Sequence, residues 1–338
     1  VDAPNEAWAG PTAGEAGPTV GEVGELAVLD RIVRRLPPGA PEVGPGDDCA
    51  VVSAPDRRFV VTTDMMVHGP DFRWAWSSPA DVGWKAAATN LSDVAAMGAV
   101  PTALVIALAA PQDTPVTVLE SFADGVRQAV DALAPACGVV GGDLSTSATF
   151  TVSVSAFGDL DGHAPVLRSG ARPGDVLAVS GELGPAARGL ARLFRDGVDA
   201  DGKPSRAATL ASGADTDPDV ARQRRPVPPI ADGPAAAAAG ATAMLDLSDG
   251  LAIDAGRLAR ASGVTLAFDA EAVPEGPALH GGEDHGLLAT FPAGTDLPGG
   301  FRRIGSVLDR GEHDLRRAGV PVPTSGWDPY ADWDGAAG

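Results

Sequence analysis

Four stretches of this chain have the composition of β-strands, and long alanine-rich or amphipathic runs separate them, which restricts the fold to a mixed α/β class. The strand-like stretches are "RFVVTTD" (Arg58 to Asp64), "ALVIALAAP" (Ala103 to Pro111), "ATFTVSVSAFGD" (Ala148 to Asp159) and "DVLAVSG" (Asp175 to Gly181). Between the first two lies "SPADVGWKAAATNLSDVAAMGA", whose Ser-Pro-x-Asp opening predicts a capped helix. "VTVLESFADGVRQAVDALAPACG" predicts a second helix, ended by proline and glycine, and "GELAVLDRIVRRLP" a shorter amphipathic one.

A length of 338 residues exceeds one compact core. Two domains are therefore expected, over residues 23–160 and 161–338. Residues 1–22, rich in Gly, Pro, Ala and Glu without periodicity, read as a disordered leader, and the small polar residues of 198–220 read as a flexible insertion. The formal net charge of -20 argues against a nucleic-acid or anionic-membrane partner. No apolar run approaches the ~20 residues that span a bilayer. Two cysteines, Cys49 and Cys137, make no disulfide framework, and the five histidines show no metal-ligand spacing with them, so a reduced cytoplasmic location is expected.

Five segments place aspartate after a short apolar or glycine-rich lead: "GPGDDCAVV" (Asp47, Asp48), "VVTTD" (Asp64), "NLSD" (Asp93), "GVVGGD" (Asp143) and "LDLSDG" (Asp246, Asp249). Singly, each is most simply a turn or helix cap. Gathered in one place they would repel strongly unless cations intervened, and hard oxygen ligands suit Mg²⁺. Mg²⁺ commonly accompanies phosphates, so the pattern suggests nucleotide chemistry. Lys85, on an alanine-rich helix, reads as a solvated charge. There is no P-loop, no kinase signature set, no convincing dinucleotide fingerprint and no nucleophile elbow.

In order along the chain, "GPGDDCAVV", "TTDMMVHGPDF", "DVGWKAAATNLSDVAAMGA", "GGDLSTS", "RSGARPGD", "AMLDLSDGLAID" and "GGED" resemble the thiamine-monophosphate kinase family. The likeness runs over most of residues 24–330, and the wider superfamily includes aminoimidazole ribonucleotide (AIR) synthetase and selenophosphate synthetase. It implies a two-domain, AIR-synthetase-like α/β fold with mixed sheets, dimerising through its amino-terminal domain. It also implies ATP and several Mg²⁺ ions between the domains and transfer of phosphate to thiamine monophosphate. Carried onto matching positions, Asp48, Asp93, Asp143 and Asp246 would form the catalytic centre. Asp48, Thr62, Thr63, Asp64, Asp93, Asp143, Asp246 and Asp249 would hold metal. Gly142, Asp143, Arg168 and Ser248 would contact ATP, and Glu283 and Trp327 the thiamine portion. Asp71 stands where the family usually has a substrate-contacting histidine and would take that contact, with His68 three residues earlier as the other candidate. "GGEDHG" has His285 and Gly286 where the family often has Tyr and Glu. The alternatives are another ATP-dependent member of the superfamily and a non-catalytic cation- or nucleotide-binding relative.

Overall fold

A computed structural model describes residues 17–42 and 52–326. The amino-terminal unit contains α1 (Val20–Val23), α2 (Glu25–Val33), β1 (Val60–Val67), α3 (Pro79–Ala96), β2 (Val100–Ala110), α4 (Val116–Leu133), β3 (Gly138–Thr146) and β4 (Thr151–Asp159). Its strands form one sheet in the order β1-β4-β2-β3. β4 lies antiparallel to both β1 and β2, while β2 and β3 run parallel. The expected leader is ordered at its described end: Val20 N donates to Thr114 O at 2.8 Å and Thr19 closes a capping box on α1.

The carboxy-terminal unit comprises β5 (Val176–Ser180), α5 (Pro185–Asp196), α6 (Arg206–Ala211), α7 (Pro218–Arg224), α8 (Asp232–Ala238), β6 (Ala243–Asp246), α9 (Leu251–Ser262), β7 (Thr265–Phe268), α10 (Pro277–His280), β8 (Leu287–Phe291), β9 (Arg302–Leu308), β10 (Leu315–Arg317) and β11 (Val320–Pro321). The second sheet runs β11-β10-β7-β9-β5-β8-β6. The fold is thus two α/β units with mixed sheets. Among the described residues no helix is long and apolar enough to cross a membrane.

The 198–220 stretch, read as a flexible polar insertion, is a turn closed by a Val198–Pro204 bridge followed by short helices from Arg206 onward. Ser205 Oγ caps α6 and Asp217 Oδ1 caps α7, accepting from Asp219 N at 2.8 Å, with a 3-10 turn over Ala214–Thr216 between them. Leu193, Ala214 and Val220 bury a small core against Trp76, whose indole N–H donates to Gly197 O at 2.8 Å. The apolar residues are few and the helices too short to show a helical period, which hid them in the sequence.

The helix α3 organises the site. Ser78 and Asp81 form the predicted capping box, and most of the helix is buried because it packs on the first sheet, on α4 and on the second unit. Glycine permits the closest approach: a Cβ at Gly83 would meet the Phe122 carbonyl and one at Gly125 the Ala80 carbonyl. Strand alternation then orients the second sheet. Met244 of β6 faces the core shared with α3, Leu245 faces the core under α9, and Asp246 returns to the α3 side.

Candidate active site

Two carboxylates reach the site from strands, Asp64 from within β1 and Asp246 from the end of β6, and Asp93 comes from α3. On β1, Thr62 and Asp64 share the face turned toward α3. Thr62 Oγ1 donates to Asp93 Oδ2 at 2.8 Å, and Asn90 Oδ1 accepts from Asp64 N at 3.1 Å. Asp246, 7% exposed, completes the group from β6. Burial, then the neighbouring charges of Asp246 and Asp64, push the Asp93 carboxyl up to about 7 against the Thr62 hydroxyl.

The segment after β6 continues pairing beyond the regular sheet. Leu247 N donates to Gly286 O at 2.8 Å, His285 N to Leu247 O at 3.0 Å and Glu283 N to Ser248 O at 2.7 Å. "LDLSDG" and "GGEDHG" are therefore two sides of one irregular ladder. Glu283 and His285 adopt left-handed φ values of 68° and 53°, which turn their side chains toward the amino-terminal unit. His285 Nδ1 lies 3.4 Å from Asp246 Oδ2, and the Ser92 hydroxyl of α3 donates to His285 O at 3.3 Å. Burial alone would lower the imidazole pKa; hydrogen bonding and charge from Asp246 outweigh it and raise it.

Lys85 is 4% exposed, which corrects its reading as a solvated charge. Its Nζ donates to Glu283 Oε1 at 2.8 Å, and Gln223 Nε2 of α7 donates to Glu283 Oε2 at 3.3 Å. Burial would raise the Glu283 carboxyl, yet Lys85 brings it below its ordinary range. Asp71 belongs to the same corner: its Oδ2 accepts from Val67 N at 2.7 Å. Its pKa is raised, first by burial and against the Val67 hydrogen bond, with Glu283 and Asp64 adding to the rise and Lys85 opposing it. His68 instead packs with Phe72 and Trp74, its ring centroid 5.7 Å from that of Trp74.

Asp249 sits half-buried at the amino-terminal end of α9, where Arg257 Nη1 reaches both its Oδ2 and Asp254 Oδ1 at 2.6 Å. Asp254 accepts from Asp249 N and Gly250 N, both at 3.1 Å, and so holds the turn. Burial, with Asp249 nearby, pushes the Asp254 carboxyl up to about 7.

Three expected ligands are not brought to this group within one chain. Thr63 alternates to the opposite face of the sheet, where its hydroxyl donates to Val154 O at 3.0 Å. Asp143 is cross-strand from Ala107, Ser153 and Met65 in turn, so it shares that outer face and lies about 14 Å from β1 by strand spacing. Its neighbour Gly142 has a local reason to be glycine, since a Cβ there would strike the Ile106 carbonyl. The exposed Arg168 has its carbonyl bonded by Ser262 Oγ, at the far end of α9 from Asp249, a helix length of about 18 Å. Asp48 and Trp327 lie outside the described residues. Among the described residues no three of His, Cys, Asp and Glu close into a metal-holding group.

Sequence reasoning set Lys85 aside, named His285 only as a departure from the family, and passed over Gln223 and Arg257. The one available signal was Lys85 itself, a solitary cation in the alanine-rich middle of a helix with buried neighbours on every side.

Residues 46–160 match the AIR synthase related protein N-terminal domain, and residues 172–297 match its C-terminal domain. The chain is 44% identical over 332 residues to thiamine-monophosphate kinase of Mycobacterium tuberculosis, covering 92% of this chain and 91% of that protein. The chain belongs to the thiamine-monophosphate kinase family. Among solved structures, thiamine-monophosphate kinase of Stenotrophomonas maltophilia superposes with a TM-score of 0.71 at 31% identity, over 87% of this chain and 97% of that one. AaThiL complexed with AMPPCP and TMP gives a TM-score of 0.67 at 31% identity, over 92% and 98%. Thiamine-monophosphate kinase family membership accordingly extends over both α/β units rather than over one shared domain.

Proposed function

We propose that this chain transfers the terminal phosphoryl group of ATP to thiamine monophosphate, giving ADP and thiamine diphosphate, as a homodimer of the cytosol. The observation that carries the reading is the meeting of Asp64, Asp93 and Asp246 with the Lys85–Glu283 pair, from opposite units, in a family whose relatives bear that name.

The acceptor phosphate is largely dianionic near neutral pH, its second pKa being ~6, so no general base is needed to make the nucleophile. The work left to the protein is alignment of two polyanions and neutralisation of their charge. The donor set fits a hard divalent cation: these are carboxylate oxygens, and the Asp93 carboxyl, pushed up to about 7 first by burial and then by Asp246 and Asp64, lies where a cation would offset crowded negative charge. Asp64, Asp93 and Asp246, with Asp249 and Asp48, would hold Mg²⁺, which when bound would offset phosphate charge. Lys85 would hold Glu283 against the organic half of the acceptor, Asp71 would face the same half, and Ser248 would lie beside the nucleotide.

The outer face of the first sheet supports dimerisation there. Val61 and Met65 are 59% and 62% exposed on it, and the helices α3 and α4 cover only the other side. A second copy against this face would bury them and put Thr63, Gly142 and Asp143 at the subunit boundary, the setting in which Asp143 and Arg168 would serve a site they do not reach within one chain.

The test is to supply purified protein with ATP, Mg²⁺ and thiamine monophosphate. Equal amounts of ADP and thiamine diphosphate are expected, with Asp93→Asn and Asp246→Asn lowering turnover roughly 10²-fold or more while circular dichroism is unchanged. No thiamine diphosphate from the wild type overturns the proposal.

A further inference from the structure

One polar atom beside Glu283 is left without a partner. Gln223 is 6% exposed, and its Nε2 donates to Glu283 Oε2 at 3.3 Å. A carboxylate only accepts, so the amide must present its NH₂ on that side, and its orientation is fixed. Its Oε1 is thereby turned into the interior, where it is shut off from solvent and has no hydrogen-bond donor. Such an acceptor destabilises the ligand-free fold, and an apolar side chain of equal length would carry no such penalty. A small cleft lined by Glu182, Arg222, Pro226, Val227 and Asp284 lies beside the chain neighbours of Gln223 and Glu283.

The missing group must be a donor. Of the chemistry in thiamine monophosphate, the ionised phosphate and the thiazolium ring offer no N–H or O–H, whereas the exocyclic amino group of the aminopyrimidine does. ATP carries a comparable amino group on adenine. Position separates the two sources: the same amide holds Glu283, the residue proposed above to face the organic half of the acceptor, so the amino group carried by that half is the one within reach of Oε1.

Resting on the kinase activity proposed above, we infer that Gln223 is a specificity-determining residue whose Oε1 accepts a hydrogen bond from the amino group of the acceptor's aminopyrimidine. Substrate entry then requires the Gln223 side chain or α7 to move enough to uncover Oε1. The helix α7, which begins inside the stretch read as an insertion and runs past its end, thus supplies part of the substrate site.

Steady-state kinetics on the full-length wild type, Gln223→Met and Gln223→Leu test this, with thiamine monophosphate and an analogue bearing hydrogen in place of the amino group. The wild type is expected to prefer the natural acceptor over the analogue by roughly tenfold in kcat/KM, and both variants to lose that preference. KM for ATP should stay unchanged and the melting temperature should hold or rise, a combination that a merely structural role does not produce. A preference retained in both variants, or a change confined to KM for ATP, overturns the inference while leaving the activity standing. Absence of turnover by the wild type with either acceptor overturns the activity and the inference together.

Discussion

Lys85 and Glu283, 198 residues apart in the chain, join the two units by an ion pair of 2.8 Å. The lysine side chain is 6% exposed and the glutamate side chain 33%, so the pair is sheltered on one side and wetted on the other. Removing the lysine strands a partly buried carboxylate, which costs more than the pair itself contributes. Lys85→Met should lower stability by about 1–3 kcal/mol in urea unfolding. Adding Glu283→Gln should recover much of the loss, and strictly additive effects would show that the two charges do not communicate.

A pH dependence follows from the crowded acids. Asp93 and Asp254 are both pushed up to about 7, above the ordinary 3.8 of an exposed aspartate. A raised folded-state pKa means the folded form holds its protons longer than the unfolded one. The stability this contributes is complete below about pH 3.8 and disappears as pH rises through about 7. In chelator, melting temperature should therefore fall between pH 5 and pH 8 on this account, and Mg²⁺ should reverse the fall at pH 8. Asp93→Asn should melt higher than wild type at pH 8 and show a flatter pH slope while losing activity. An unchanged slope in the variant would remove Asp93 from this explanation.

The closest helix approach gives a prediction independent of any ligand. A Cβ at Gly83 would collide with the Phe122 backbone carbonyl, a group that cannot swing aside without moving α4. Gly83→Ala should destabilise the chain by about 1–3 kcal/mol or more, although alanine ordinarily favours a helix over glycine. A neutral or stabilising result in denaturant titration contradicts this packing.

Trp76 holds the short helices α5 to α7 to the amino-terminal unit through its ring and its bond to Gly197 O. Trp76→Ala should cost about 3–5 kcal/mol locally. Protease cleavage within residues 198–220 should then accelerate well ahead of global unfolding, and equal rates in variant and wild type would show that these helices are held by something else.

The predicted capping box at Ser78 and Asp81 and the strand-like runs around Asp64, Val105, Val154 and Val179 were legible because caps and periodicity are local. The aspartate segments were legible as a repeated motif, but their places were not: Asp64 lies within β1, Asp93 within α3 and Asp143 within β3 rather than at turns or caps, while Asp246 ends β6. Which aspartates meet was another matter. Alternation puts Thr62 with Asp93 and sends Thr63 to the other face, and the order β1-β4-β2-β3 sets Asp143 at the far edge from Asp64.

By itself, then, the sequence determined the α/β class, the helix caps, the acidic inventory and the family likeness, all of which depend on residues near one another in the chain. Tertiary structure alone decided that Asp246 turns toward α3, that Lys85 is buried against Glu283 and that Gln223 arrives beside that pair from α7. Those outcomes depend on sheet order, strand parity and the packing of one unit on the other. No window of neighbouring residues contains that information, because the interactions that fix it close over separations as long as that from Lys85 to Glu283.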